Sequence, residues 1–133
     1  VKSMDGFDVD ENYIELAKLV QQHCGRTNCN FFPSSLKAFK STDTYDFVVS
    51  TAIHGWSGMK FPDYVSFLDR HLRPGGVMLF ESHELDAEKD WREKRAHLTS
   101  RYSVLDSGII DDTDKSIYAS EIREFLILSK HAL

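Results

Sequence analysis

Three short clusters in the sequence carry side chains able to do chemistry. In Gly6-Phe7-Asp8-Val9-Asp10, Asp8 falls near the end of a stretch that reads as a short strand. An ionised carboxylate there offers acceptors to two vicinal hydroxyls, as on a ribose, the alternative being a helix-capping or surface carboxylate. Asp10 is the better placed cap. The second cluster is Ser50-Thr51-Ala52-Ile53-His54-Gly55-Trp56, which follows the apolar run Phe47-Val48-Val49. Ligands of open α/β sheets bind outside the carboxyl ends of the strands, so Ser50, Thr51, Ala52 and His54 stand at the mouth of a site. His54 is the candidate catalytic residue, an imidazole able to take a proton near neutral pH, with a shaping or hydrogen-bonding role as the alternative. Trp56 either walls a binding pocket or fills core beneath the loop. The third cluster, Glu81-Ser82-His83, ends another apolar run and supplies Glu81 and His83 as candidate substrate contacts. Together with His54 they raise a metal site, but they lie on different strands and no metal is expected.

These clusters need elements to position them. Lys2 to Val9 reads as a short strand. The residues from Glu11 to Cys24 read as an amphipathic helix with Tyr13, Ile14, Ala17, Val20 and Cys24 on one face, Leu16 and Leu19 widening the stripe and Gly25 ending it. Cys29 to Phe32 is a second strand, closed by Pro33-Ser34-Ser35, with one helical turn over Leu36 to Phe39. The run at Phe47 is that of a central parallel strand buried on both faces. Pro62 opens a helix whose Tyr64, Val65, Leu68 and Leu72 share a face, and Arg73-Pro74-Gly75-Gly76 reverses the chain into the strand Val77-Met78-Leu79-Phe80. Asp86 is placed to cap a charged helix from Ala87 to about Arg101, with Trp91 and Leu98 inward and Arg92, Lys94, Arg95 and Arg101 facing water. Tyr102 to Ile110 and Tyr118 to Leu128 read as antiparallel strands joined by the polar loop Asp111 to Ser116.

A length of 133 residues, 41% hydrophobic, is one domain's worth, so residues 1–133 are read as a single domain. The formal charge of -5 argues against general nucleic-acid binding. Cys24 and Cys29 form neither a zinc framework nor a redox pair and read as reduced thiols. With no secretory leader and no membrane-length apolar run, the expected location is the cytoplasm.

The order of elements resembles the class I S-adenosylmethionine-dependent methyltransferase family. Gly6-Phe7-Asp8-Val9-Asp10 resembles its acidic ribose motif, Tyr45 to His54 its fourth strand, and Leu72-Arg73-Pro74-Gly75-Gly76-Val77-Met78-Leu79-Phe80 the approach to its fifth. Their order and the closing hairpin carry the resemblance over nearly the whole chain. It implies a Rossmann-like α/β sheet, mostly parallel with a C-terminal antiparallel hairpin, and methyl transfer from S-adenosylmethionine to an unidentified acceptor. By resemblance, Asp8 and Val9 face the ribose, Ser34, Ser35 and Leu36 the adenine, and Ser50, Thr51 and Ala52 the sulfonium, while Trp56, Glu81 and His83 shape the acceptor site. The family's first strand and glycine-rich loop precede the acidic strand and have no counterpart here, so the domain is expected to be N-terminally incomplete. A preceding segment, or a second copy in a homodimer, would then complete the sheet. A non-catalytic scaffold of the same fold is the alternative function. A nicotinamide-dependent oxidoreductase also reads ribose with an acid at this position, but the hairpin and the Pro-Gly-Gly approach speak against it.

Overall fold

A computed structural model describes residues 2–83, 85, 87–111 and 122–132. Two of the expected features, the Asp86 cap and the strand residues 118–121, lie outside these, as does nearly all of the polar loop at 111–116. The chain divides into two compact units, Val1–Ser41 and Thr42–Leu133.

In the first unit, β1 (Met4–Asp8) pairs in parallel with β2 (Cys29–Pro33), Met4 opposite Cys29 and Asp8 opposite Pro33. Between them runs α1 (Glu11–His23), started by the Asp10 carboxylate, which accepts the Asn12 N–H at 2.9 Å. Gly25 takes the left-handed conformation (φ 61°) that stops the helix. Pro33 ends β2 as expected, and Ser35 O accepts from the N–H groups of Ala38 and Phe39, closing the anticipated helical turn. Phe7, Phe32 and Phe39 stack, with Phe7 and Phe39 centroids 4.6 Å apart. The broad apolar stripe is not covered as its pattern implies. Ile14 is buried, whereas Tyr13, Leu16, Leu19 and Val20 are all more than half exposed, because the described sheet beside α1 has only two strands.

The second unit is a four-stranded sheet in the order β3-β4-β6-β5, built from β3 (Tyr45–Thr51), β4 (Leu72–Glu81), β5 (Ser103–Asp111) and β6 (Ile122–Ser129). β3 and β4 are parallel, with Val48 opposite Met78 and Thr51 opposite Glu81. β4 and β5 both run antiparallel to β6, the closing hairpin expected from sequence. The helix α2 (Phe61–His71) carries Pro62 in its first turn and buries Tyr64, Val65, Phe67 and Leu68. Its C-terminus is fixed by Lys130, whose ammonium donates to Asp69 O and Leu72 O at 2.7 and 3.0 Å, favourable at the negative end of the helix. Leu72, placed on the helix face by its spacing, instead opens β4, so helix passes directly into strand. Gly75 (φ 74°) lies in the irregular stretch of β4 between the Tyr45–Leu72 and Phe47–Val77 pairs, and a Cβ on Gly76 would stand 2.9 Å from Arg73 O.

The core lies where α2 and α3 (Trp91–Thr99) meet Met78, Phe80, Leu126 and Leu128. β3 departs from the two-sided burial that its apolar run predicts. Phe47 and Val49 are each 53% exposed, because alternate residues of a strand point to opposite faces and only the Val48 and Ser50 face is covered. Among the described residues β3 also has a strand partner on one edge only. No described helix is long and apolar enough to cross a membrane.

Candidate functional site

The carboxyl ends of β3 and β4 lie side by side in the second unit and deliver the candidate residues. After Thr51, Ala52 adopts φ 51°, a left-handed conformation that alanine rarely visits, while its N–H donates to Glu81 O at 3.2 Å. Strain of this kind persists where the surroundings over-determine it, often at functional sites. Ala52→Gly is expected to stabilise the fold by about 1 kcal/mol in urea unfolding, since glycine carries no Cβ penalty there. A loss of stability would show that the Ala52 methyl packs usefully enough to outweigh the strain.

A 3₁₀ turn, His54–Trp56, follows. It buries His54 to 4% exposure, stacked on Phe80 at 5.5 Å and edge-on to Phe61. His54 Nε2 bonds to Glu88 Oε1, and its Nδ1 is buried with no hydrogen-bond partner among the described residues. Burial pushes the His54 pKa below the usual histidine value despite the opposing pull of Glu88. The ring is therefore neutral at pH 7, and Nε2–H donates to the carboxylate. Lys94 Nζ, 3.4 Å from the same nitrogen, is a close neighbour rather than a second partner, because that nitrogen already holds its proton.

Glu88 is the hub. Its Oε1 also accepts from Lys94 Nζ at 2.8 Å, and its Oε2 from the His83 N–H at 2.9 Å. Burial opposes its charge, but hydrogen bonds from Lys94 and His54 hold its pKa below the usual carboxylate value. Lys94 loses solvation as well, yet Glu88 and Asp90 raise its pKa, so it remains an ammonium. Asp90 receives Lys94 at 3.0 Å, which lowers its own pKa. His83 turns toward the 3₁₀ turn, where its Nε2 accepts the Gly55 N–H at 2.9 Å. Gly55 permits this approach, since a Cβ there would come within 2.7 Å of that nitrogen. Gly55, Trp56, His83, Glu88, Asp90 and Lys94 surround a cavity of about 450 Å³.

No family model and no curated protein matches the chain by sequence. Solved structures do. The N-methyltransferase NodS from Bradyrhizobium japonicum WM9 superposes with a TM-score of 0.74 at 14% identity, over 98% of this chain and 74% of NodS. A methyltransferase from Thiobacillus denitrificans, in complex with S-adenosyl-L-homocysteine, gives 0.70 at 15% identity, over 97% of this chain and 75% of its own. A protein from Listeria monocytogenes, provisionally assigned to class I of the S-adenosylmethionine-dependent methyltransferases, gives 0.72 at 17% identity over 98% of this chain, which spans 45% of that protein. The fold is that of the class I methyltransferases. It agrees with the Rossmann-like α/β architecture that the sequence motifs imply.

Within this methyltransferase fold the expected site residues are distributed unevenly. Trp56 and His83 line the cavity, and His54 sits directly behind its wall. Glu81 is buried and engaged by Arg123 at 2.7 Å. The Ser50 hydroxyl bonds to the Tyr64 hydroxyl at 2.7 Å in the core, where burial pushes the Tyr64 pKa up to about 12. Thr51 is exposed. In the first unit, Asp8 is exposed, with Oδ1 accepting the Asp10 N–H, while its carbonyl accepts the Ser34 N–H at 2.8 Å. Val9 is 72% exposed, and Ser34, Ser35 and Leu36 are half-buried.

Sequence reasoning missed Glu88, Asp90 and Lys94. The charged helix starts at Trp91 rather than Ala87, so Glu88 and Asp90 lie before it and meet Lys94 inside the first turn. Lys94, expected to face water, keeps 17% of its side chain exposed, with Nζ 5.6 Å from the Phe61 ring centroid. Arg95 likewise turns to Glu124 at 2.9 Å, and Glu124 also accepts the Trp91 indole N–H at 2.7 Å. That carboxylate sets how α3 lies against β6. The Asp90 to Lys94 spacing of four was the available signal.

Proposed function

We propose that this chain carries out S-adenosylmethionine-dependent methyl transfer in the cytoplasm, where Cys24 and Cys29 stay reduced, to a small-molecule or other nucleophilic acceptor. The observation that supports this is the fold match over nearly the whole chain to enzymes crystallised with S-adenosyl-L-homocysteine, NodS and the Thiobacillus protein. Taken unit by unit, the residue types suit that cofactor. The Asp8 carboxylate is exposed at the end of β1, open to ribose hydroxyls, with Val9 beside it. The half-buried Leu36 and the Ser34 and Ser35 hydroxyls suit a flat base with a polar edge. Ser50, Thr51 and Ala52 keep side chains small at the end of β3, where a bulky group would obstruct transfer.

The cofactor, when bound, supplies a methyl group on a positively charged sulfur. Displacement from such a centre needs proximity and in-line alignment more than a base. Accordingly, His54 acts as a positioning residue: buried and neutral, it orients Glu88, which in turn holds the His83 backbone and Lys94. His83 and Trp56 face the acceptor.

Calorimetric titration with S-adenosyl-L-homocysteine tests the assignment. Saturable binding is expected, and Asp8→Ala should weaken it by about 1–3 kcal/mol, the cost of losing a charged hydrogen-bond partner. Unchanged affinity would remove Asp8 from the site. No binding by the full-length protein would replace the enzyme with a methyltransferase-like scaffold.

A further inference from the structure

The cavity beside α3 carries a chemical preference. Among the described residues its wall holds two carboxylates, Glu88 and Asp90, and one ammonium, Lys94. Lys94 is committed to both, at 2.8 and 3.0 Å, so the described part of the wall has one negative charge in excess. The surplus sits toward solvent: the Asp90 side chain is 59% exposed, that of Glu88 only 4%. The same cavity is also lined by Trp56, 86% exposed on the 3₁₀ turn. An indole face together with a carboxylate is the arrangement that holds an organic cation, through the ring quadrupole and direct charge attraction. The volume, about 450 Å³, is that of a small-ligand site.

We propose that this cavity is the acceptor pocket and that its ligand is an amine, bound as the ammonium between Trp56 and Asp90; this rests on the methyltransferase reading above. An anionic acceptor would meet the surplus negative charge, and Lys94, the one cation among the described lining residues, is already paired. A neutral hydroxyl acceptor would need a base at the wall, and the open nitrogen of His54 is buried behind it. The bound ammonium first releases one proton to bulk water on the exposed side of the cavity, while Asp90 stays ionised beside Lys94. The freed nitrogen lone pair then forms the new N–C bond as the C–S bond breaks, its electron pair staying on sulfur to leave a neutral thioether and a methylated ammonium.

The test reads binding rather than turnover. Benzylamine, benzyl alcohol and benzoate are titrated at pH 7 against Trp56 emission, with S-adenosyl-L-homocysteine titrated separately by calorimetry. Saturable benzylamine binding is expected, at least tenfold tighter than either analogue. Asp90→Asn should weaken it tenfold or more. Trp56→Ala, followed by calorimetry, should do the same without changing the melting temperature, because that side chain is largely exposed. Equal or tighter binding of benzoate or benzyl alcohol, or no benzylamine binding by a protein that binds S-adenosyl-L-homocysteine, overturns the amine assignment alone. Benzylamine affinity unaffected by both substitutions places the amine elsewhere and also overturns it. Failure of S-adenosyl-L-homocysteine to bind removes the methyltransferase reading instead.

Discussion

Glu88→Ala is expected to lower the unfolding free energy at pH 7 by about 3 kcal/mol, because breaking a buried ion pair strands its partners. The substitution would leave the buried His54 Nε2–H and the His83 N–H without acceptors and Lys94 with Asp90 alone. Glu88→Gln should cost less, since an amide oxygen still accepts from one of them. The pH dependence follows from the directions of the two shifts. His54 has a depressed pKa, so as pH falls below the ordinary 6.5 the unfolded chain takes up a proton first and stability declines until the folded ring protonates as well. Glu88 is also depressed, so its contribution is complete above the ordinary carboxylate range and is lost as pH falls through its folded value. The wild type should therefore weaken in two stages between pH 8 and acid, and Glu88→Ala should shrink the second to what the Asp90–Lys94 pair contributes. Urea midpoints across that range measure both. A cost below 1 kcal/mol at pH 7 would mean that Lys94 and His54 find other partners.

What the sequence disclosed depended on whether the signal was local. Gly25 after an amphipathic run, Pro62 in a first turn and the continuous apolar stretch into Glu81 each act through backbone geometry within a few residues, and the elements fall where those signals put them. The run Phe47-Val48-Val49 announced a strand but not its coverage, because the same residues suit a strand buried on one face or two. The cavity was legible at Trp56, which ends the 3₁₀ turn, and at His83, two residues past the end of β4. It was not legible at Glu88, whose partners His54, His83 and Lys94 come from a turn, a strand end and a helix. Periodicity also misjudged Lys94 and Arg95, since a charged helix face looks the same in water as against carboxylates such as Glu124, 29 residues away.

Phe80→Ala should be the most damaging single substitution in the second unit, at about 3–5 kcal/mol for a fully enclosed aromatic. Phe80 is completely buried at the end of β4. Its ring lies 6.2 Å from Trp91 of α3 in a stacked arrangement, 5.9 Å from Phe61 edge-on, and 5.5 Å from His54. One side chain thus joins the sheet to both helices and to the 3₁₀ turn that presents Trp56. A void there removes the surface on which His54 rests, so the damage should reach the cavity as well as the core. Near-ultraviolet circular dichroism should lose its Trp91 signal at denaturant concentrations where the wild type keeps it, and benzylamine affinity should fall with it. Phe80→Leu, which keeps most of the volume, should cost about 1.5 kcal/mol or less. If the alanine variant lost stability but retained wild-type amine affinity, the cavity would be held by the polar contacts around Glu88 alone, and the aromatic layer would serve only the fold.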